Sequence, residues 1–112
     1  MISTRTESNG KVYVKVHDVS DESGYPRIVV AICDKEELGK TYSEGEIRLE
    51  VNQEFFGGFL TEIEEALDYI RQAYTGMLVG KNIVESAVRA GLIHPESVIK
   101  VQGIPYAQFV RM

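Results

Sequence analysis

The chain has 112 residues, which is the length of one ordinary protein domain, and its formal net charge is −5. Apolar residues make up 44% and charged residues 26% of it, which argues against a disordered or fibrous protein. The net negative charge argues against a protein that coats nucleic acid nonspecifically, because such binding needs an excess of cationic side chains.

The charge is distributed unevenly along the chain. Residues 1–68 contain 7 Lys and Arg against 15 Asp and Glu, a balance of −8. Residues 69–112 contain 5 against 2, a balance of +3. The C-terminal part therefore has the charge to meet an acidic partner.

We expect a single domain over residues 1–112, with residues 1–10 as a flexible N-terminal arm. The arm is polar and lacks the apolar core of a signal peptide, and no apolar run is long enough to span a membrane. Cys33 is the only cysteine and lies in an apolar run, so we interpret it as a buried thiol and not as a nucleophile. These features predict a cytoplasmic protein.

Three strands are predicted in the first half of the chain. Residues 11–17 alternate between apolar and polar side chains, as expected of a strand with one face in water. Residues 28–33 read IVVAIC without a polar break, which indicates a strand that is buried on both faces and central in its sheet. Residues 46–51 alternate again, and we expect Ile47, Leu49 and Val51 in the core.

Two consecutive helices are predicted next. Thr61 followed by Glu64 has the spacing of a capping box, and apolar side chains then recur at steps of three and four residues as far as Leu78. Asn82 repeats the cap for a shorter helix, which ends at Gly91 because glycine accepts the left-handed conformation of a helix stop.

Two short strands are predicted to close the chain, over residues 98–101 and 106–111. Strands, then helices, then strands indicate an α+β fold. We expect a small mixed or antiparallel sheet of about five short strands packed against the two consecutive helices.

Three polar stretches invite a catalytic interpretation that their details do not support. Residues 39–41, Gly-Lys-Thr, match the end of a phosphate-binding P-loop, but Asp34 stands where the first glycine of that motif belongs. We therefore interpret them as a turn with an exposed lysine. The acidic runs 34–37 and 62–65 are interpreted as solvated charges at helix starts.

The histidines do not indicate a metal site. His17 and His94 are the only two, and neither has a cysteine or a cluster of carboxylates at ligand spacing. We expect His17 on the exposed face of the first strand. The sequence predicts no catalytic residue, no metal and no cofactor, and it leans away from an enzyme without excluding one.

The stretch Phe55-Phe56-Gly57-Gly58-Phe59 allows two interpretations. In the structural one, the glycines form a turn with positive φ and the rings fill the core or the sheet edge. In the functional one, an exposed ring anchors a partner, or free backbone N–H groups bind an anion. The carboxylates nearby disfavour an anion, so partner anchoring is the stronger of the two functional interpretations.

Several segments together resemble one known family. They are EELGKTYSEGEIRLEV at 36–51, FFGG at 55–58, LVG at 78–80 and GLIHPESVIKVQGIPYAQ at 91–108. The chain is similar, over roughly residues 13–111, to the archaeal family known as domain of unknown function 424. The resemblance implies no established activity and no catalytic residue. It does imply an accessory role around RNA or the ribosome, through the family's association with genes of archaeal translation factors.

Three function hypotheses follow. The first is a noncatalytic binding module near translation that touches RNA, or a protein bound to RNA, with candidate RNA contacts at Lys81, Arg89, Lys100 and Arg111. The second is a protein-interaction or self-association module that uses the aromatics of residues 55–59. The third is a small-molecule enzyme of unknown class. The candidate binding residues are Lys40, Thr41, Phe55, Gly57, Gly58, Gly103, Pro105, Tyr106 and Gln108.

The turn residues of the resembling segments carry one geometric prediction. If those segments form a shared site, Lys40, Gly58 and Gln108 converge on one face of the molecule. The lysine would supply charge, the glycine exposed backbone N–H groups, and the glutamine a neutral donor and acceptor. If they are independent turns, the three residues are dispersed around the sheet.

Overall fold

A computed structural model of the protein describes residues 10–20, 22–24 and 27–111. Residues 1–9 of the predicted N-terminal arm lie outside the described residues. The fold is α+β, as predicted: the described residues form a six-stranded mixed sheet, a separate two-stranded hairpin and three helices. The strands are β1 Lys11–Asp18, β2 Ile28–Asp34, β3 Thr41–Glu44, β4 Ile47–Glu50, β5 Phe59–Glu62, β6 Thr75–Val79, β7 Ile99–Val101 and β8 Ile104–Val110.

The six-stranded sheet has the order β5-β1-β2-β6-β8-β7. The pair β2–β6 is parallel and the other four pairs are antiparallel. The residues from Val30 to Cys33 are fully buried, which confirms the prediction that the apolar run 28–33 forms a central strand. The chain reaches β6 from β2 through a long crossover, as parallel neighbours require.

The helices are α1 Gln53–Phe56, α2 Ile63–Gln72 and α3 Lys81–Arg89. Helices α2 and α3 cover one side of the sheet, which we call the helical face. Its core joins valines of β1 and β2 to Leu67 and Ile70 of α2 and to Ile83 and Ala87 of α3. The apolar stripe of each helix is what this face buries.

The opposite side of the sheet, which we call the hairpin face, is covered by the β3–β4 hairpin and α1. Its core joins Cys33 and Val79 of the sheet to Leu49 and to Phe56 of α1. Asn52 caps α1, because its Oδ1 accepts the N–H of Phe55 at 2.7 Å. Ile47 was predicted in this core and is instead 42% exposed, so that prediction is wrong.

The predicted start and length of the first long helix are wrong. Thr61 lies in strand β5, and its hydroxyl donates to the Glu65 carboxylate at 2.7 Å instead of capping the helix. The helix ends at Gln72, and the strand β6 that follows contains Leu78. The apolar residues of β6 continue the helical spacing of α2 by coincidence, so the spacing predicted a helix there and the strand was missed. Strand β6 therefore separates the two helices that were predicted to be consecutive.

The predicted cap of α3 is also wrong, whereas its predicted end is confirmed. The helix begins at Lys81 after Gly80, and Asn82 lies inside its first turn. Gly91 has φ of 77° and follows the last turn, as expected of a left-handed helix stop. None of the described helices is long and apolar enough to cross a membrane.

Candidate binding surface

A groove lies on the helical face between α3 and the β7–β8 hairpin. Its volume is about 320 Å³. Five apolar side chains line it: Val84, Val88, Pro95, Val98 and Pro105. Val84 and Val88 stand one helical turn apart on α3, so they present one continuous apolar wall.

Three charged side chains complete the lining: Glu85, Arg89 and Lys100. Each of them reaches solvent at the rim. Within the described part of the chain, none of them takes part in an ion pair; Arg89 donates only to the Ser86 hydroxyl, at 3.3 Å. The rim of the groove therefore carries two cations and one anion that are available to a ligand.

The hairpin wall of the groove is positioned by backbone geometry. Gln102 and Gly103 form the turn between β7 and β8 with φ of 52° and 81°, the pair of positive values that a type I′ turn requires. The register of this turn sets Lys100 opposite Pro105. The Pro105 carbonyl accepts the N–H of Gly80 at 2.9 Å, which ties the hairpin to the start of α3.

The helix wall is fixed by a carboxylate from the neighbouring strand. Asp34, at the end of β2, accepts the N–H groups of Asn82 at 2.8 Å and of Ile83 at 2.9 Å. These donors belong to the first turn of α3, where backbone N–H groups lack partners within the helix. We call the contact of Asp34 with this first turn the α3 latch.

Asp34 is only 3% exposed. Burial raises its pKa to about 6, with smaller contributions from Glu36 and Glu37, although the two N–H donors favour the charged form. The interpretation of Asp34 as a solvated charge is therefore wrong. It does serve a helix start, but the helix is α3, which lies far along the chain.

The same latch explains why residue 80 is a glycine. Its φ of 119° and ψ of 151° fall in a region that is essentially restricted to glycine. A Cβ built at this position would lie 2.6 Å from Oδ2 of Asp34. Only glycine lets the chain pass this close to the buried carboxylate.

Two groups next to the latch have raised pKa values. Burial raises the pKa of Cys33 to about 12, with help from the charge of Asp34, so its thiol stays protonated at neutral pH. Burial likewise raises the pKa of Tyr42 to about 12, and its hydroxyl donates to Glu37. The described residues include no group of three or more His, Cys, Asp or Glu that could hold a metal ion.

The three predicted aromatics occupy different environments. Phe56 is buried in the core of the hairpin face, as the structural interpretation expects. Phe55 is half-buried and stacks on His17 with ring centroids 4.8 Å apart, while His17 Nε2 donates to the Phe55 carbonyl at 3.0 Å. Phe59 is 42% exposed and lies in β5, at the edge of the sheet. One of the three rings is thus available to a partner.

The positive φ predicted for Gly57 and Gly58 is wrong, since Gly57 has φ of −83° and Gly58 is not among the glycines with positive φ. These glycines serve close packing instead. A Cβ at Gly58 would lie 2.7 Å from the Cα of Lys15 in β1, and one at Gly57 would lie 2.8 Å from Cδ of Gln53. Gly58 adjoins the β5–β1 end of the sheet, whereas Gln108 lies in β8, at least three strand spacings or about 14 Å away. This separation keeps the two predicted site residues apart.

The other predicted binding residues are also dispersed. Lys40 and Thr41 are exposed where β3 begins, which agrees with the predicted turn. Tyr106 packs against the core of the hairpin face. Pro105 lines the groove, and Gly103 lies in the turn of the same β7–β8 hairpin.

The four candidate RNA contacts divide into two groups. Arg89 and Lys100 line the groove. Lys81 is the first residue of α3 and is exposed. Arg111 donates to the Ile70 carbonyl at 2.8 Å, so it is used in closing the C-terminal end of α2.

Sequence reasoning missed the groove and the latch. The signal for the groove was the spacing of Val84 and Val88, which also fits a helix face buried in a core. The signal for the latch was a carboxylate at the end of an apolar strand, together with a glycine directly before a helix. Neither signal states which distant segment it contacts.

Comparison with known proteins shows which family has a sequence like that of this chain. The sequence model described as "Protein of unknown function (DUF424)" matches residues 22–112. The chain belongs to the DUF424 family. This confirms the resemblance found in the sequence, and the match includes both the groove and the latch of this DUF424 protein.

One solved structure is similar to this DUF424 chain. It is the crystal structure of an uncharacterized conserved protein from Methanopyrus kandleri, with 23% sequence identity and a TM-score of 0.69. The similarity covers 88% of this chain and 90% of that chain. At this identity the likeness supports the fold alone. None of the curated proteins matches the chain.

Proposed function

We propose that this DUF424 protein is a single-domain, noncatalytic binding module that holds a macromolecular partner in the groove between α3 and the β7–β8 hairpin. The observation that carries the proposal is the groove itself, a cavity of about 320 Å³ with an apolar lining and two cations at its rim. A concave apolar site with a few charged groups at its rim is the usual form of a binding site.

The finer part of the proposal is an accessory role in translation, in the cytoplasm, with a protein that is itself bound to RNA as the partner. The translation context rests on the family's gene neighbourhoods. The choice of a protein over RNA rests on the lining, which has no aromatic ring among the described residues on which a base could stack.

The proposal can be tested by photo-crosslinking in extract from the native host. A photoreactive amino acid replaces Glu85 at the rim of the groove, and a matched control replaces the exposed Glu50 of β4. We expect crosslinks from position 85, and not from position 50, to proteins of the translation machinery. Equal crosslinking from both positions, or no crosslink from position 85, would overturn the proposal.

A titration with RNA separates the two kinds of partner. The chain is mixed with archaeal tRNA and ribosomal RNA fragments at about 50 mM salt, where phosphate contacts are strong. We expect no binding that depends on Arg89 and Lys100. Binding that is lost on changing both residues to glutamate, but kept when the exposed Arg48 and Arg71 are changed instead, would make RNA the direct partner.

A second candidate function is self-association through the edge strand β5. Phe59 and Leu60 are 42% and 43% exposed and point to opposite sides of that strand. An exposed edge strand with apolar side chains is a template for pairing with another chain. Of the three aromatic residues in 55–59, Phe59 is therefore the one that supports the predicted role in self-association.

Sedimentation of the full chain tests this second function. We expect a concentration-dependent dimer that Leu60→Lys abolishes and that Val110→Lys, at another exposed apolar residue, leaves intact. A monomer at high concentration for the unaltered chain would remove the basis for self-association.

A further inference from the structure

The lining of the groove restricts what can occupy it. Five of its eight residues are valine or proline, which have no side-chain hydrogen-bonding group. An occupant must therefore place apolar atoms against α3 and the hairpin, because polar groups buried there would lose water without gaining partners. Branched apolar side chains fit this condition.

The rim restricts the charge of the occupant. Arg89 and Lys100 outnumber Glu85, and the segment 69–112 around them has a balance of +3. Carboxylates placed beside the two cations would be attracted and would also steer the approach of the partner. The same arrangement disfavours a basic segment.

We propose that the occupant of the groove is an acidic protein segment that inserts a branched apolar side chain between α3 and the β7–β8 hairpin. This inference rests on the proposed function and names the chemistry of its partner. The apolar side chain contacts Val88 and Val98, and flanking carboxylates meet Arg89 and Lys100.

The size of the groove favours a short segment over a folded surface. A volume of about 320 Å³ lies at the lower end of the range of roughly 300 to 1,000 Å³ that is typical of ligand clefts. Such a cavity takes one or two apolar side chains. The flanking acidic residues then stay at the surface, where the rim cations are exposed.

Selection from a random-peptide library displayed on phage tests this chemistry without naming the partner in advance. The bait is the full chain, and the counter-bait carries Arg89→Glu and Lys100→Glu. Both positions are exposed, so the double variant is expected to fold, and its thermal melting curve checks this. The matched control carries Arg48→Glu and Arg71→Glu, which make the same charge change at exposed positions outside the groove.

The expected result is enrichment of peptides in which Asp or Glu flanks Leu, Ile, Val or Met. The selected peptides should bind the counter-bait about tenfold more weakly than the unaltered chain and bind the control with unchanged affinity. Val88→Thr keeps the shape of the side chain but adds a hydroxyl, and it should weaken binding about fivefold or more.

Three results would overturn the inference. They are enriched peptides that are basic or lack acidic residues, binding that survives the double charge reversal, and a concentration-dependent oligomer of the unaltered chain that this reversal abolishes. If the library fails while position 85 still crosslinks to a translation protein, the acidic segment is wrong and the binding module stands. Failure of both experiments removes the proposed function as well.

Discussion

The two faces of the sheet are covered in different ways. On the helical face, α2 and α3 each bury an apolar stripe of a regular helix. On the hairpin face, a two-stranded hairpin and a four-residue helix provide the cover with short elements. The helices that cover the helical face therefore follow from local sequence pattern, whereas the cover of the hairpin face depends on contacts between distant segments.

The difference is not complete, because the position of α3 also depends on a distant contact. The α3 latch joins Asp34 to a helix that begins 47 residues later, at Lys81. The pattern of α3 accounts for its being a helix, and the latch accounts for where the helix begins. The α3 latch therefore also sets the position of the helix wall of the groove.

The largest expected effect breaks the latch. Gly80→Ala should lower the free energy of unfolding by more than about 3 kcal/mol, because the new Cβ collides with the Asp34 carboxylate in a backbone region that alanine avoids. Gly91→Ala is the matched control. It also has positive φ, but open space surrounds it, so it should cost about 1 to 2 kcal/mol. Urea denaturation measures both, and equal losses would contradict the collision.

The pH dependence of stability tests the burial of Asp34. Its pKa is raised from 3.8 to about 6 on folding, so between these values the native state binds more protons than the unfolded state. Stability should therefore fall as pH rises through this window, by up to about 3 kcal/mol. The Asp34→Asn variant lacks this group, so the difference between the two proteins isolates it. A difference that stays constant from pH 3.8 to about 6 would contradict the raised pKa.

A third prediction contrasts two neighbours on the hairpin. Leu49 is 5% exposed, and Leu49→Ala should cost about 2 kcal/mol through lost burial and the cavity left behind. Ile47→Ala, at an exposed position on the same strand, should cost less than about 0.5 kcal/mol. Denaturation midpoints compare the two variants. The reverse order would restore the sequence-based prediction that Ile47 belongs to the core.

The smallest effect sharpens the contrast between the faces. The Glu44 carboxylate of β3 accepts the N–H of Gln102, a contact that ties the hairpin β3–β4 to the turn after β7. Glu44→Ala should lower global stability by less than about 1 kcal/mol, because this contact is exposed. Hydrogen exchange should nevertheless accelerate in β3 and β4 and stay unchanged in β2. Uniform acceleration across the sheet would show that the two faces unfold together.

Much of the fold could be predicted from local pattern. The central strand 28–33 was predicted from an unbroken apolar run, the helix stop from the glycine at Gly91, and the two closing strands from two short runs on either side of a turn. All three signals are properties of neighbouring residues. Leu78 shows the limit of this reasoning. A buried strand and a buried helix turn are both continuously apolar, so spacing alone assigned it to a helix.

The sequence by itself determined the fold class, the family and the acidic and basic division of the chain, because these depend on composition and on residues near one another. Only the tertiary structure decided that Asp34 caps α3, that Arg89 and Lys100 share a groove, and that Phe59 is exposed while Phe56 is buried. Each of these depends on which distant segments the sheet brings side by side. Strand order is set by the packing of the whole chain, and no single segment encodes it.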